Sequence, residues 1–224
     1  MSLVNKYVVV MEVEGAFAMF SRPDTGGTPT SYQAPTWSAA KGIFESIAFL
    51  KKNAWICPTK VEICRKKGTP GGQVQYQRYT NNYGGPLRKP DLFKKGSAVG
   101  GSSMQVYATV LSNVCYRLHG VVVGMERNKS FGARHYLQDL FQRRLKQGRC
   151  HKTPCLGWRE FTCSYWGEFR EENEVDIAFS CEIPSMLLSV WDTPFHGAYR
   201  PVFCQNVRID KGVLEYDVPQ KWLR

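Results

Sequence analysis

Residues 105–123 read QVYATVLSNVCYRLHGVVV, and their alternation sets the frame for the rest of the chain. Val106, Ala108, Val110, Val114, Tyr116, Leu118 and Val122 fall on one side. Tyr107, Thr109, Asn113, Arg117 and His119 fall on the other, among smaller apolar residues. A period of two sustained this long predicts a strand with one face on a core. Upstream, residues 7–14 (YVVVMEVE) predict a second strand, with Tyr7, Val9, Met11 and Val13 apolar and the opposite face ending in Glu12 and Glu14. A turn-rich connection holding Pro23, Gly26, Gly27 and Pro29 follows. Thr36 then caps a predicted helix to about Leu50, with Ala40, Ile43, Phe44, Ile47 and Leu50 at helical spacing. Gly42 inside it costs about 1 kcal/mol relative to Ala, so a close backbone contact is expected there.

A short strand is predicted around residues 56–65, then an irregular insertion from Lys66 to Ser103 punctuated by Gly-Gly pairs. Beyond the long strand, residues 132–147 predict a second helix. It buries Leu137, Leu140, Phe141 and Leu145, exposes Arg143, Arg144 and Lys146, and stops at Gly148. Residues 158–166 predict another strand. The order β-α-β-β-α-β is that of an α+β, ferredoxin-like (RRM-like) unit. Alternation in residues 175–181 and strands near 199–209 and 213–218, the last two around an Asp210-Lys-Gly turn, predict a small C-terminal antiparallel sheet packed on the first unit. The expected division is 1–167, with the insertion at about 66–103, and 168–224.

Charge narrows the partner. The chain of 224 residues carries 30 Lys+Arg against 19 Asp+Glu, a net charge of +11, which favours a polyanion over a neutral small molecule. From Lys51 to Lys95 eleven basic residues face only Glu62 and Asp91; from Arg127 to Lys152 eight face only Asp139. From Glu168 to Asp192 the sign reverses, with seven acids and Arg170 the sole Lys or Arg. This is the pattern of a binding face with a neutral or protein-facing back rather than of uniform solubilising charge. The eight cysteines form no CxxC pair, and Cys150, His151, Cys155 and Cys163 fit no common zinc spacing, so no metal or other cofactor is expected. With no signal peptide and no apolar run long enough to span a membrane, the expected setting is cytoplasmic, with no membrane partner.

The chemistry concentrates in two places. Residues 76–89 (YQRYTNNYGGPLRK) interleave Tyr76, Tyr79 and Tyr83 with Arg78, Arg88 and Lys89. Aromatic rings stack on unpaired bases, cations neutralise phosphates, and glycines admit a close backbone. Arg134-His135 opens the second helix behind Lys129, and Arg143, Arg144, Lys146 and Arg149 follow along it. RNA cleavage without metal needs proton transfer at the 2′-OH and the 5′-oxygen and a cation for the crowded phosphorane. His135 and Arg134 are of the right types, and a helix N-terminus adds favourable partial charge. His119 is a second candidate. There is no GxSxG elbow, no GxxxxGK[ST] loop and no HExxH.

An ordered set of segments carries a family resemblance: Val13-Glu-Gly-Ala-Phe-Ala-Met-Phe-Ser-Arg-Pro23, Ser31-Tyr32, Pro35-Thr-Trp-Ser-Ala-Ala-Lys-Gly-Ile-Phe-Glu45, Asn82-Tyr-Gly-Gly-Pro-Leu-Arg-Lys89, Val110-Leu-Ser-Asn-Val-Cys-Tyr116 and Leu156-Gly-Trp-Arg-Glu-Phe161. Together they resemble the CRISPR-associated family five proteins of subtype I-C (the Dvulg type), RAMP-superfamily subunits of Cascade. The resemblance implies an RRM-like domain with a small C-terminal β-domain. It implies an endoribonuclease that cuts precursor CRISPR RNA at the repeat hairpin without metal, leaving a 2′,3′-cyclic phosphate. It also implies retention on the 5′ handle beside the large and backbone subunits of Cascade. The family's proposed site joins a tyrosine late in the first helix to a Lys-His pair opening the second. Here Arg134-His135 matches the pair with Arg for Lys, and Ala48 stands at the tyrosine position. Either Tyr76 or Tyr79 substitutes, or cleavage proceeds differently. The alternative is a non-catalytic subunit that cradles the 5′ handle.

Overall fold

The computed structural model describes residues 7–50, 53–69, 74–83, 104–124, 132–191, 194–195 and 198–218. In chain order the elements are β1 (Val8–Ala18), α1 (Trp37–Ile47), β2 (Ala54–Lys66), β3 (Gln75–Tyr83), β4 (Met104–Gly124), α2 (Ala133–Lys146), β5 (Tyr165–Gly167), β6 (Asn173–Val175), β7 (Cys181–Ser189), β8 (Pro194–Phe195), β9 (Ala198–Tyr199), β10 (Val202–Asp210) and β11 (Val213–Glu215). The chain is α+β and mostly strand.

The alternation in residues 105–123 becomes β4, the strand on which the fold is assembled. β1 and β2 pair antiparallel with its two edges, in registers such as Met11↔Leu118 and Val61↔Leu118. β5 closes on β1 through Val13↔Trp166. The sheet runs β5-β1-β4-β2-β11-β10-β7, with β3 on β4 and β6 on β2. The C-terminal strands expected as a sheet packed on the first unit are joined to it by hydrogen bonds, because β11 pairs with β2 at Leu214↔Val61. Lys211 (φ 48) and Gly212 (φ 76) make the turn between β10 and β11, the two-residue left-handed turn that matches strand twist.

Val9, Met11, Val13, Ile56, Val61, Leu118 and Val122 form one core with Ile43, Phe44 and Ile47 of α1 and Leu137, Phe141 and Leu145 of α2. Full burial of each such side chain contributes about 1.5–3 kcal/mol. The helices meet at Phe44 and Phe141, ring centroids 5.7 Å apart. Close approach of helix to sheet falls at Gly120, where a Cβ would stand 2.9 Å from Ile56 and 3.1 Å from Phe44. It does not fall at Gly42, whose missing side chain faces nothing within 4 Å among the described residues; the expected backbone contact is not found among them.

Three other expectations change. The insertion was expected to be irregular throughout, but Gln75–Tyr83 pairs residue for residue with the first half of β4; residues 84–103 lie outside the described residues. The predicted strand over residues 158–166 shrinks to Tyr165–Gly167, because Leu156 to Phe161 folds back on itself, Leu156 N–H donating to Phe161 O at 2.7 Å. The single apolar face predicted for the long strand is interrupted at Asn113 (φ 51). On its N-terminal side Ala108 and Val110 pack with Met19 and Phe161, while Leu111, Val114, Tyr116, Leu118 and Val122 join the main core.

Candidate nucleic-acid interface

Arg134 and His135 occupy the first turn of α2. The N-cap is Gly132, which offers no side-chain hydrogen bond, and no acidic residue stands in the first turn. Among the described residues, then, no side chain caps the helix start or offsets its positive partial charge. Arg134 is half-buried, its guanidinium 5.5 Å from the Tyr7 ring centroid and its stem against Gly124 at the end of β4. His135 is exposed beside it. A held cation and an accessible imidazole at a helix N-terminus suit an oxyanion such as a phosphodiester.

The end of α1 lies against the last turns of α2, where Arg144 donates to Ile47 O, about 15 Å along that helix from Arg134 at ~1.5 Å per residue. Ala48 is the C-cap, extended, its N–H donating to Phe44 O, and 1% exposed. No hydroxyl stands at that position. Tyr76 and Tyr79 do not supply one. Tyr76 pairs with Leu111 and Tyr79 with Ala108, roughly 40 and 50 Å of strand from Gly124 at ~3.3 Å per residue. The catalytic grouping of these tyrosines with Arg134 and His135 is therefore corrected: the fold places them at opposite ends of β4. Tyr76 is half-exposed, its hydroxyl donating to Ser31 O at 3.4 Å, and burial raises its phenol above the ordinary value. Tyr79 packs edge-on to Phe161 at 5.0 Å, beside Phe17 and Trp158. Arg78 lies exposed between the two tyrosines.

Along α2 the basic residues divide. Arg143 is exposed and paired with Asp139 at 3.8 Å, and Lys146 and Arg149 are exposed. Arg144, expected on that face, turns inward and donates to Ile47 O at 2.8 Å, satisfying a terminal carbonyl of α1. Gly148 (φ 64) ends the helix as expected. Its N–H donates to Leu145 O and that of Arg149 to Arg144 O, the Schellman pattern. Arg88, Lys89 and Lys129 lie outside the described residues, as does the side chain of Tyr83.

The other face of the sheet holds a buried ion network. Glu12, 0% exposed, accepts from Arg170 Nε and Asn173 Nδ2 at 2.7 Å and from Arg117 Nε at 3.1 Å. Burial by itself would raise its carboxyl; the hydrogen bonds from Arg170, Asn173 and Arg117 outweigh that and hold it below the ordinary range. His119 stands in this network, Nε2 3.1 Å from Glu62 Oε1 but off the line a hydrogen bond requires. Burial lowers its imidazole despite Glu62. It is held among ionised side chains and far less accessible than His135.

One basic group escaped the sequence reading. Phe49 and His151 stack with ring centroids 6.1 Å apart and planes at 23°, beside Lys152 and Arg159. The available signal was the continuation of charge past Gly148, through Arg149, His151 and Lys152. Among the described residues, no three of His, Cys, Asp and Glu come together as a metal-holding group. Nor is any helix long and apolar enough to cross a membrane.

Comparison with known proteins places this arrangement. The chain shares 26% identity over 167 residues with the CRISPR pre-crRNA endoribonuclease Cas5d of Mannheimia succiniciproducens, covering 69% of this chain and 70% of that protein. It shares 32% over 151 residues with the protein of that name from Thermus thermophilus, covering 67% of this chain and 60% of that one. Among solved structures, a CRISPR-associated protein superposes with a TM-score of 0.66 at 17% identity over 96% of this chain and 93% of its own. A functionally uncharacterized Streptococcus mutans protein superposes with a TM-score of 0.65 at 18% identity, covering 97% and 95%; both show the likeness of fold. The sequence pattern of the CRISPR-associated Cas5 family, in its Cas5d form, matches residues 8–183, and with that match the chain belongs to the Cas5d family.

Proposed function

We propose that this chain cuts precursor CRISPR RNA at the repeat hairpin by attack of a ribose 2′-OH, without a metal ion, and then remains on the 5′ handle as a subunit of a type I-C Cascade. The observation that carries the reading is the pairing of an exposed His135 with a held Arg134 at an uncapped helix N-terminus, in a chain homologous to proteins named pre-crRNA endoribonucleases. The 2′-oxygen bonds to phosphorus, the P–O5′ bond breaks, one proton leaves the 2′-OH and one reaches the 5′-oxygen. The products are a 2′,3′-cyclic phosphate and a 5′-hydroxyl. His135 serves the proton transfer, and Arg134 with the first-turn N–H groups of α2 stabilises the phosphorane. Arg does not exchange a proton near neutrality, so its part is electrostatic. Arg78, Tyr83, Arg88, Lys89, Lys129, Arg143, Lys146 and Arg149 are the proposed RNA contacts.

In this reading the run β5-β1-β4-β2 with both helices packed on it is a ferredoxin-like, RRM-like unit of residues 1–167. Residues 168–224 are its appended β-unit, whose acidic start faces the large or backbone subunit. The proposed setting is cytoplasmic.

Repeat RNA incubated with the purified chain in EDTA tests the activity. Cutting by the wild type and its loss in His135→Ala, by a factor of about 10²–10⁴, is the expected result; an intact substrate in the wild-type reaction overturns the nuclease reading. One observation favours the non-catalytic alternative: the buried Ala48 at the family's tyrosine position. Tight binding of the repeat with no cutting is the outcome that reading predicts.

A further inference from the structure

Between α1 and the segment leaving α2 lies an open cavity of about 740 Å³. Gly42, Glu45 and Phe49 line one side of it, and His151, Lys152 and Arg159 the other. Gly42 is a mid-helix glycine whose missing Cβ would meet nothing within 4 Å. Such a glycine costs about 1 kcal/mol of helix stability, and no packing among the described residues repays it. The Phe49 ring is 44% exposed and stacks on the exposed His151. The loop carrying His151 is fixed in place, since the N–H groups of His151 and Lys152 both donate to Ser46 O, at 2.7 and 2.9 Å. Lys152 and Arg159 are exposed, and the one acid among the lining residues, Glu45, has Lys41 3.8 Å away. The groove thus offers an anchored aromatic platform, a bare stretch of helix and two cations.

We propose that this groove is a subsite for an unpaired nucleotide of the RNA, its base stacked on the Phe49–His151 pair, its backbone over Gly42 and its phosphates toward Lys152 and Arg159. Flat aromatic rings accept any base, and a glycine lets the sugar-phosphate chain approach the helix. The inference rests on the RNA reading above and deepens it. The groove lies roughly 20 Å from His135 along α2 at ~1.5 Å per residue, so it holds nucleotides away from the scissile phosphate. The exposed Arg143, Lys146 and Arg149 continue the basic path between them.

The test is fluorescence anisotropy with labelled repeat RNA and the full chain. Gly42→Ala is expected to melt at a higher temperature and, because its methyl stands where the RNA backbone would lie, to bind more weakly than the wild type. Gly42→Phe, which fills the groove, and Phe49→Ala are each expected to weaken binding about tenfold, the scale of one lost base–aromatic stack. Because Gly42→Phe can also perturb α1, the double variant Lys152→Ala with Arg159→Ala is measured beside it. Both side chains are exposed, and their loss should weaken binding and reduce the log–log salt slope by about 1.4 for single-stranded RNA. Wild-type affinity and slope in Phe49→Ala and in the double variant overturn the subsite, and would leave the groove to a protein neighbour. The subsite is judged on affinity and the nuclease reading on cutting in EDTA, so either can fail without the other.

Discussion

Glu12 shows how much one buried residue organises. It lies at the centre of β1, faces away from the helices, and gathers Arg117 from β4 with Arg170 from the connection between β5 and β6 and Asn173 at the start of β6. Glu12→Gln removes the charge and leaves two guanidiniums partly uncompensated, which should cost about 2 kcal/mol or more, read from the urea midpoint. The sign with pH follows. The folded carboxyl is depressed below its ordinary value of 4.5, so its contribution is fully present above that value and is lost as pH falls through the folded one. Wild-type stability should therefore drop in acid more steeply than that of Glu12→Gln. Gly157 is a second such residue: at φ +90, a Cβ there would stand 1.8 Å from Met19 O. Gly157→Ala should lower the melting temperature, by strain of about 1–3 kcal/mol or more. Neither role is written in the local sequence. Glu12 reads there only as the polar face of a strand, because its partners come from 105 to 161 residues away along the chain.

At the scale of elements, periodicity carried most of the fold. β1, β4, α1 and α2 lie where alternation and helical spacing put them, because each buries one face against the others. The misses share a cause, which is that a distant partner decides them. β3 is a strand in a glycine-rich region because β4 offers a long edge for it to pair with. The predicted strand before Trp166 folds back because Leu156–Gly157 packs on Met19 and Phe20. On α2, spacing alone placed Arg144 with Arg143 and Lys146, but the helix-terminal carbonyl of Ile47 draws it inward. The consequences are separable. Arg144→Ala should cost about 1 kcal/mol of stability. Arg143→Glu with Lys146→Glu should leave stability nearly unchanged, weaken binding of repeat RNA and flatten its salt dependence.

The whole molecule is organised by where its charge lies on its large curled sheet. The +11 excess pointed to a polyanion, and placement and family narrow that polyanion to RNA. Arg134-His135 was legible as a pair of suitable residue types at a predicted helix start. The absence of the family's tyrosine late in the first helix was legible as Ala48. What the sequence could not show is that Tyr76 and Tyr79 stand at the far end of β4, since that depends on the register of β3. Nor could it show the groove over Gly42, which exists because the segment after α2 returns to the end of α1. The central claim, cutting by a ribose 2′-OH, is tested most directly with two repeat RNAs. One is all-ribose and the other carries a single 2′-deoxy nucleotide immediately 5′ of the scissile phosphate. Cutting of the first, with the second bound equally well but left intact, is the predicted result; cutting of both at the same rate, or of neither, would contradict it.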